Sequence, residues 1–529
     1  MDKRKILVIL QARSSSSRLP GKVNKEINGY PVACLAAKRA GNTGLNVIVA
    51  TSNEASDDEL VKKLTQAQIN YYRGSLSNVF SRFYTISKDL SPDAIIVRLT
   101  ADNVFPDGKF IEHAVNEFNK TGADYIRSST NLPYGLSVEV FTKNVLEVCA
   151  QNVLTPFEQE HVTPKIRKVA GDREFQDEKI SYNNLRCTID YEKDFRKISK
   201  IFKEFSNPIE ATYGELLESL WRSQNSIDRI CIGTAQLGLD YGISNIMGKP
   251  SKKEAFAILD KAYKVGIRGL DTARGYGTSE EVIGEFCHSS GVQFDVITKL
   301  TPFLFGTDKE VVLAVEKSVQ TSLSALKQDV LDTVLLHRFS HTEINDGLVI
   351  DTLERLKSQG LIRNLGISIQ NPDELQKCSK VNWVSHIQLP FNVLDSRWSS
   401  VETNTLSELS HKATIHARSL FLQGLVFLKS ESLWPSNIQS SSNQVLRFFE
   451  TLTSETSLSI KEVCLKFGLS KSWIDACVIG IANKNELEDV YKLFDQNPRF
   501  EDEKMKFIEN SRPLLPNELL DPSQWRSNA

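Results

Sequence analysis

The chain has 529 residues, 25% of them charged and 40% hydrophobic, which excludes a single small core and points to two folded domains. The 64 basic side chains nearly balance the 66 acidic ones, leaving a formal charge of −2, and no block of like charge stands out. Bulk binding to nucleic acid or to an anionic membrane is therefore not expected. The apolar runs are short strands, far below a membrane span, and the start lacks the apolar stretch and cleavage site of a signal peptide. Eight scattered cysteines without a Cys-x-x-Cys pair predict a cytoplasmic, thiol-bearing chain, with neither a disulfide framework nor a zinc knuckle.

The first part alternates strands and helices. Apolar runs predict strands at residues 5–10, 46–51 and 94–99, and helices at 32–40, 57–66 and 110–119. This is the pattern of a mostly parallel sheet covered on both faces, a Rossmann-like α/β domain. Ligands of such sheets sit at the carboxyl ends of the strands. Residues 188–194 and then a segment at 195–205 close the domain, which spans 1–222. The polar stretch from Arg222 to Asp228 reads as a linker, taken as 223–228.

From residue 229 the alternation resumes with a regular beat. Strands are predicted at 230–233, 269–271, 295–298, 333–337, 364–368, 385–389, 414–419 and 476–480. Eight strand–helix units across 229–529 match the size of a (β/α)8 TIM barrel. Asp271, Lys299, His337 and Ser368 each lie at the carboxyl end of a predicted strand, and Tyr276 lies just past one. In such barrels that rim carries the chemistry. The serine-rich stretch 436–442 reads as a surface loop.

Two segments carry chemistry. After the first strand comes Gln11-Ala-Arg-Ser-Ser-Ser-Ser-Arg-Leu-Pro-Gly-Lys22. Backbone amides, hydroxyls and cations beside a strand end suit a triphosphate. Arg13, Arg18 and Lys22 are the phosphate-binding candidates, and Gly21 would let the backbone approach. The spacing is not that of a Walker P-loop.

In the second half, Asp271, Tyr276, Lys299 and His337 supply the groups that a carbonyl reductase needs. A phenol can donate the proton only if its pKa falls below about 10. A neighbouring ammonium does that, a carboxylate holds the ammonium, and an imidazole orients the carbonyl.

The first 220 or so residues resemble the spore-coat-polysaccharide type of cytidylyltransferase, related to the enzymes that make CMP-sugar acids. The likeness runs through Ala50-Thr-Ser52, Arg98-Leu-Thr-Ala-Asp102, Val138-Glu-Val-Phe141, Glu160-His-Val-Thr-Pro164 and Thr188-Ile-Asp190. It implies CTP or a related nucleotide, a sugar or sugar-acid acceptor, Mg²⁺ and a homodimer. By resemblance Asp102 is a metal ligand, and Asp190 is the candidate second carboxylate. Two such ligands, phosphate oxygens and water would complete an octahedral Mg²⁺ site. Arg98, Glu139 and Ser137 are the acceptor-binding candidates. The family usually reads Gly-Leu-Asp-Val-Glu where this chain has Gly135-Leu-Ser-Val-Glu139, so Ser137 replaces an acid.

Residues 229–495 resemble the aldo/keto reductases. The likeness includes Gly233-Thr-Ala-Gln-Leu-Gly238, Tyr241 to Asn245, Gly366-Ile-Ser368 and Gln388-Leu-Pro-Phe-Asn392. It implies Tyr276 as proton donor, Lys299 and Asp271 as its tuners, and His337 as orienter. The cofactor would be NADPH or NADH, bound by Gly233, Thr234, Ser368, Gln388, Arg418, Gly480 and Asn483. Arg418 stands where an aromatic side chain often stacks on the nicotinamide. The adenosine-phosphate segment lacks the family's usual Arg and keeps Lys484 as its one cation.

Together the two halves predict a bifunctional enzyme that activates a sugar with a nucleotide and reduces a sugar carbonyl. A second reading keeps the barrel as sole catalyst, with the N-terminal domain a sugar- or nucleotide-binding module. A third makes the barrel a nucleotide-sensing regulatory subunit.

Overall fold

A computed structural model describes residues 6–526 apart from Lys179, residues 181–184, Ser244, residues 246–247, residues 302–304 and Gln496. Two compact units meet in sequence between Gln224 and Asn225.

The first unit is built on a seven-stranded sheet. Its order runs Tyr71–Gly74, Asn46–Ser52, Ile6–Gln11, Ile95–Thr100, Glu139–Thr142, Tyr125–Ser128, Glu174–Phe175. Ile6–Gln11 is parallel to both neighbours. All five residues from Ile6 to Leu10 are buried, as expected of a strand covered on both faces. Lys5, read as the start of that strand, lies outside the described residues. The chain builds out to one side of Ile6–Gln11 and then crosses to the other. That leaves a crevice outside the carboxyl ends of Ile6–Gln11 and Ile95–Thr100, where α/β sheets bind ligands. The Ser-rich loop and Asp102 leave from those two ends. Buried Arg39 donates to the carbonyls of Val104 (2.7 Å), Phe105 (2.9 Å) and Ala211 (2.6 Å), pinning the segment that follows Asp102.

Four strands escaped sequence reading because each has only two to four residues. The important one is Glu139–Thr142, which runs antiparallel to Ile95–Thr100 and puts Glu139 opposite Arg98. Near the end, a helix spans Glu192–Phe202, and a further helix, Tyr213–Gln224, closes the unit. The polar stretch read as a linker therefore begins in the last turn of a helix, and Ile227–Arg229 is a 3-10 turn.

The second unit is a closed barrel of eight parallel strands. They are Ile230–Gly233, Gly269–Asp271, Asp295–Lys299, Leu331–Leu336, Ile362–Ser368, His386–Pro390, Thr414–Arg418 and Ala476–Gly480. Gly233 pairs with Gly480 where the barrel closes. One expectation holds only in part: Ser436, Asn437 and Ser440 are exposed in turns, but the end of the serine-rich stretch is not a surface loop. Gln439–Ser441 is a 3-10 turn leading into the helix Ser442–Thr456, and Ser441 and Ser442 are buried. Serine composition suggested a loop, but the apolar face of that helix, Val445, Phe448, Phe449 and Leu452, carries the segment into the core.

All eight cysteines are free thiols. Among the described residues no helix is long and apolar enough to cross a membrane.

Candidate active sites

In the first unit the residues expected to hold phosphate and metal converge on one ammonium. Lys22 Nζ donates to Asp102 Oδ2 at 2.7 Å, to the Ile189 carbonyl at 2.8 Å and to Asp190 Oδ1 at 3.3 Å. Lys22 and Asp190 are buried, whereas the Asp102 side chain keeps 23% exposure. Asp190 also pairs with Arg18 at 2.7 Å and Arg186 at 2.7 Å. The helix that follows is capped by Asp194, whose Oδ2 accepts from the amides of Asp190 and Tyr191. Asp190 is thus not spent on capping and turns its carboxylate to the cations. Two carboxylates meeting at one cationic centre provide the hard oxygen donors that suit Mg²⁺.

The loop between the cations is held from below by a residue that sequence reading missed. Asp57 is fully buried and accepts from the Ser14 amide (2.6 Å), the Thr51 hydroxyl (3.0 Å) and the Ser52 amide (3.1 Å). Burial alone would raise its pKa, but the Ser52 and Ser14 hydrogen bonds outweigh it and hold the carboxyl below the ordinary value. An acid ahead of a helix looks like a cap, so nothing local distinguished it.

Among the described residues, no atom beyond its chain neighbours lies within 4 Å of where a Cβ on Gly21 would stand, so its place on the loop stays open toward a ligand. Its φ of 67° is the left-handed turn that aims Lys22 inward. Arg13 pairs with Glu160 at 3.2 Å. Two residues past Glu160, buried Val162 has φ 66°, a strained value for a β-branched residue and of the kind that gathers at functional sites.

Beside this cluster Arg98, Ser137 and Glu139 line a cavity of about 260 Å³, joined by Arg127 and Arg167. Glu139 is buried on an interior strand. It pairs with Arg98, accepts from Arg167 at 2.6 Å and from the Tyr125 hydroxyl at 2.6 Å. Burial opposes ionisation, yet Arg98, Tyr125 and Arg167 together lower the Glu139 pKa to about 2. Two guanidiniums share one carboxylate, so the cavity has a cationic excess. Arg127 turns toward Asp172 (2.7 Å) and Glu174 (2.6 Å) outside it. Neither Arg127 nor Arg167 was singled out, because each lies in a helix or strand that looks like ordinary surface.

In the barrel the tetrad assembles on one rim. Lys299 Nζ donates to Asp271 Oδ1 at 2.6 Å and to the Thr272 carbonyl at 3.0 Å, and lies 5.1 Å from the Tyr276 ring centre. Burial would lower the Lys299 pKa, but Asp271 and Tyr276 outweigh it and hold it above the usual lysine value. The His337 ring stands edge-on to Tyr276 with centroids 6.5 Å apart. Burial, then the charge of Lys299, lowers the His337 pKa to about 4, so the imidazole is neutral at ordinary pH. Gly238 lets the Tyr276 loop approach: a Cβ there would lie 1.8 Å from the Tyr276 carbonyl.

These four residues open onto a cavity of about 680 Å³. Gly233, Ser368, Gln388, Arg418, Gly480 and Asn483 line it as expected of cofactor contacts. Ser368 and Gln388 are register partners on adjacent strands. Gln388 Nε2 donates to Asp271 Oδ1 at 2.7 Å, while its Oε1 is buried with no partner among the described residues. The same holds for His337 Nδ1. Buried polar atoms left open in this way fit a polar ligand such as the nicotinamide carboxamide. Arg418 donates to the Ile369 carbonyl at 3.1 Å, next to Ser368.

Thr234 does not line the cavity. It is buried, and its hydroxyl donates to the Asp271 carbonyl at 2.8 Å and accepts from Ser279 at 2.7 Å. Its place is behind Asp271, because the turn after Gly233 aims its side chain into the barrel wall. Lys484 is also not among the lining residues, whereas Lys461 and Glu486 are. Lys461 comes from the preceding helix, out of reach of a reading confined to the last strand and its loop.

Comparison with known proteins agrees with this division. The family model of the aldo/keto reductases matches residues 229–512. The cytidylyltransferase model matches residues 7–227. An uncharacterized protein of Methanocaldococcus jannaschii is 34% identical over 207 residues, covering 38% of this chain and 84% of that protein. The spore coat polysaccharide biosynthesis protein SpsF of Bacillus subtilis is 28% identical over 232 residues, covering 42% of this chain and 96% of its own. The uncharacterized oxidoreductase YqkF of Bacillus subtilis is 27% identical over 276 residues, covering 49% of this chain and 88% of its own.

Proposed function

We propose a specific pair of reactions for a chain that belongs to the aldo/keto reductases in its second unit and to the cytidylyltransferases in its first. The first unit transfers CMP from CTP to a sugar acid. The second reduces a sugar carbonyl with NADPH or NADH. Both steps serve the making of a surface-polysaccharide precursor, and they share an intermediate.

The observation that carries the transferase half is the convergence of Asp102 and Asp190 on one cationic point beside the Ser-rich loop. Asp102 and Asp190 would hold Mg²⁺, which when bound neutralises phosphate charge and lowers the barrier to attack at the α-phosphorus. Arg13 and Arg18 draw in the triphosphate. The cationic excess around Glu139 supports an acidic acceptor, and the serine at position 137 removes a negative charge from that same wall.

For the reductase half, NAD(P)H when bound supplies a hydride to the carbonyl carbon. Tyr276 delivers the proton to the carbonyl oxygen. Lys299, anchored by Asp271, faces the phenol and stabilises the charge left on it. Neutral His337 orients the carbonyl by hydrogen bond. Ser368 and the open Gln388 Oε1 hold the carboxamide, and Arg418 braces that wall.

The test is incubation with CTP, Mg²⁺ and a panel of 3-deoxy sugar acids, reading pyrophosphate. Release with CTP and an acid is expected. Silence with CTP and with every other triphosphate would sink the transferase half.

A further inference from the structure

The Lys22 ammonium has three protons, and all three are used. They go to Asp102 Oδ2, the Ile189 carbonyl and Asp190 Oδ1. In this arrangement Lys22 has no donor left for a phosphate. It also fills the place between the two carboxylates that a divalent cation would take. An ammonium and a divalent ion at that spacing repel strongly, so both cannot sit there together. The side chain can move without disturbing the sheet. It projects from the short 3-10 turn Lys22–Asn24 rather than from a strand, on a flexible four-carbon stem. Arg186 remains on Asp190 and keeps that carboxylate oriented when Lys22 leaves.

We propose that Lys22 is a resident counter-cation, exchanged for the divalent ion when a nucleoside triphosphate offers its amine a new anionic partner. The metal and the nucleotide then enter as a unit, and the metal alone is refused. This rests on the transferase reading above and goes beyond it by setting the binding order.

The experiment measures binding, not turnover. Mn²⁺ is titrated into the full chain without acceptor, with and without CTP, and free Mn²⁺ is read by electron paramagnetic resonance. The wild type should bind Mn²⁺ only in the presence of CTP. Lys22→Met should bind Mn²⁺ alone at least tenfold more tightly than the wild type does. It should also bind metal-free CTP several-fold more weakly, having lost the amine. Tight Mn²⁺ binding by the wild type without nucleotide overturns the exchange, and that arm needs no variant to fold. A folded Lys22→Met chain with no gain in Mn²⁺ affinity overturns it as well. If neither form binds CTP under any condition, it is the transferase reading that fails. Binding of CTP together with equal Mn²⁺ affinities removes the exchange alone.

Discussion

The two sites handle a buried lysine in opposite ways. Lys299 sits on a barrel strand, 2% exposed, and its partner Asp271 comes from the neighbouring strand. Sheet register holds both, so the ammonium is fixed at the barrel rim without any ligand. Lys22 is almost as buried, but it hangs from a turn and bridges carboxylates from two other loops. Its partners are the two carboxylates proposed to hold the metal. The contrast teaches that a charged group on a strand can be a permanent tool, whereas one on a loop can act as a removable placeholder. Preorganised dipoles and charges contribute most where nothing has to be rearranged.

The largest expected effect sharpens this on the barrel side. Tyr276→Phe should lower the reductase kcat/KM by about 10²–10⁴-fold, the usual contribution of a positioned general acid. Cofactor affinity, measured by fluorescence titration, should barely change. Retained turnover would remove the phenol from its assigned role. On the other side, Asp102→Asn should lower pyrophosphate release by about 10²–10³-fold, comparable to deleting one preorganised charge-stabilising group. An unchanged rate would break the comparison, because the ammonium would then bridge groups that the reaction does not use.

A smaller effect tests the acceptor cavity. Ser137→Asp places a carboxylate among the three arginines, and should raise KM for an acidic acceptor by roughly fivefold, about 1 kcal/mol of like-charge repulsion. Its kcat should hold. A lower KM would argue for a neutral sugar.

The smallest effect is a flat pH profile. His337 is a base whose folded pKa, about 4, lies below the unfolded value near 6.5. Between those values the unfolded chain binds a proton that the folded chain refuses. This residue's linkage therefore leaves stability whole above pH 6.5 and erodes it as pH falls toward 4. The reductase kcat/KM should show no inflection between pH 6 and 8. An inflection near 6.5 would mean that the imidazole is solvated and does not sit against Tyr276 as described.

The alternation of apolar runs and helices was legible in the chain because strand and helix periodicities are local. So was the order of Asp271, Lys299 and His337 at three successive strand ends, with Tyr276 in the loop just past the first, since each strand end delivers its side chain to one rim. The short antiparallel strand Glu139–Thr142 was not legible. Its four residues carry no alternation long enough to detect, and its direction depends on pairing with Ile95–Thr100. Thr234 shows the complementary failure. Its motif placed it near a cofactor, and only the turn geometry sent its hydroxyl behind Asp271.

By itself, then, the sequence determined two α/β units, the eight-stranded beat of the second, and the residue types at both sites. Tertiary structure decided who pairs with whom. Lys22 meets Asp102 across 80 positions and Asp190 across 168, and Arg167 reaches Glu139 across 28. No local propensity encodes such partners. Charges choose them only after sheet order and loop packing have brought the carboxylates within a few ångströms and excluded the water that would otherwise screen them.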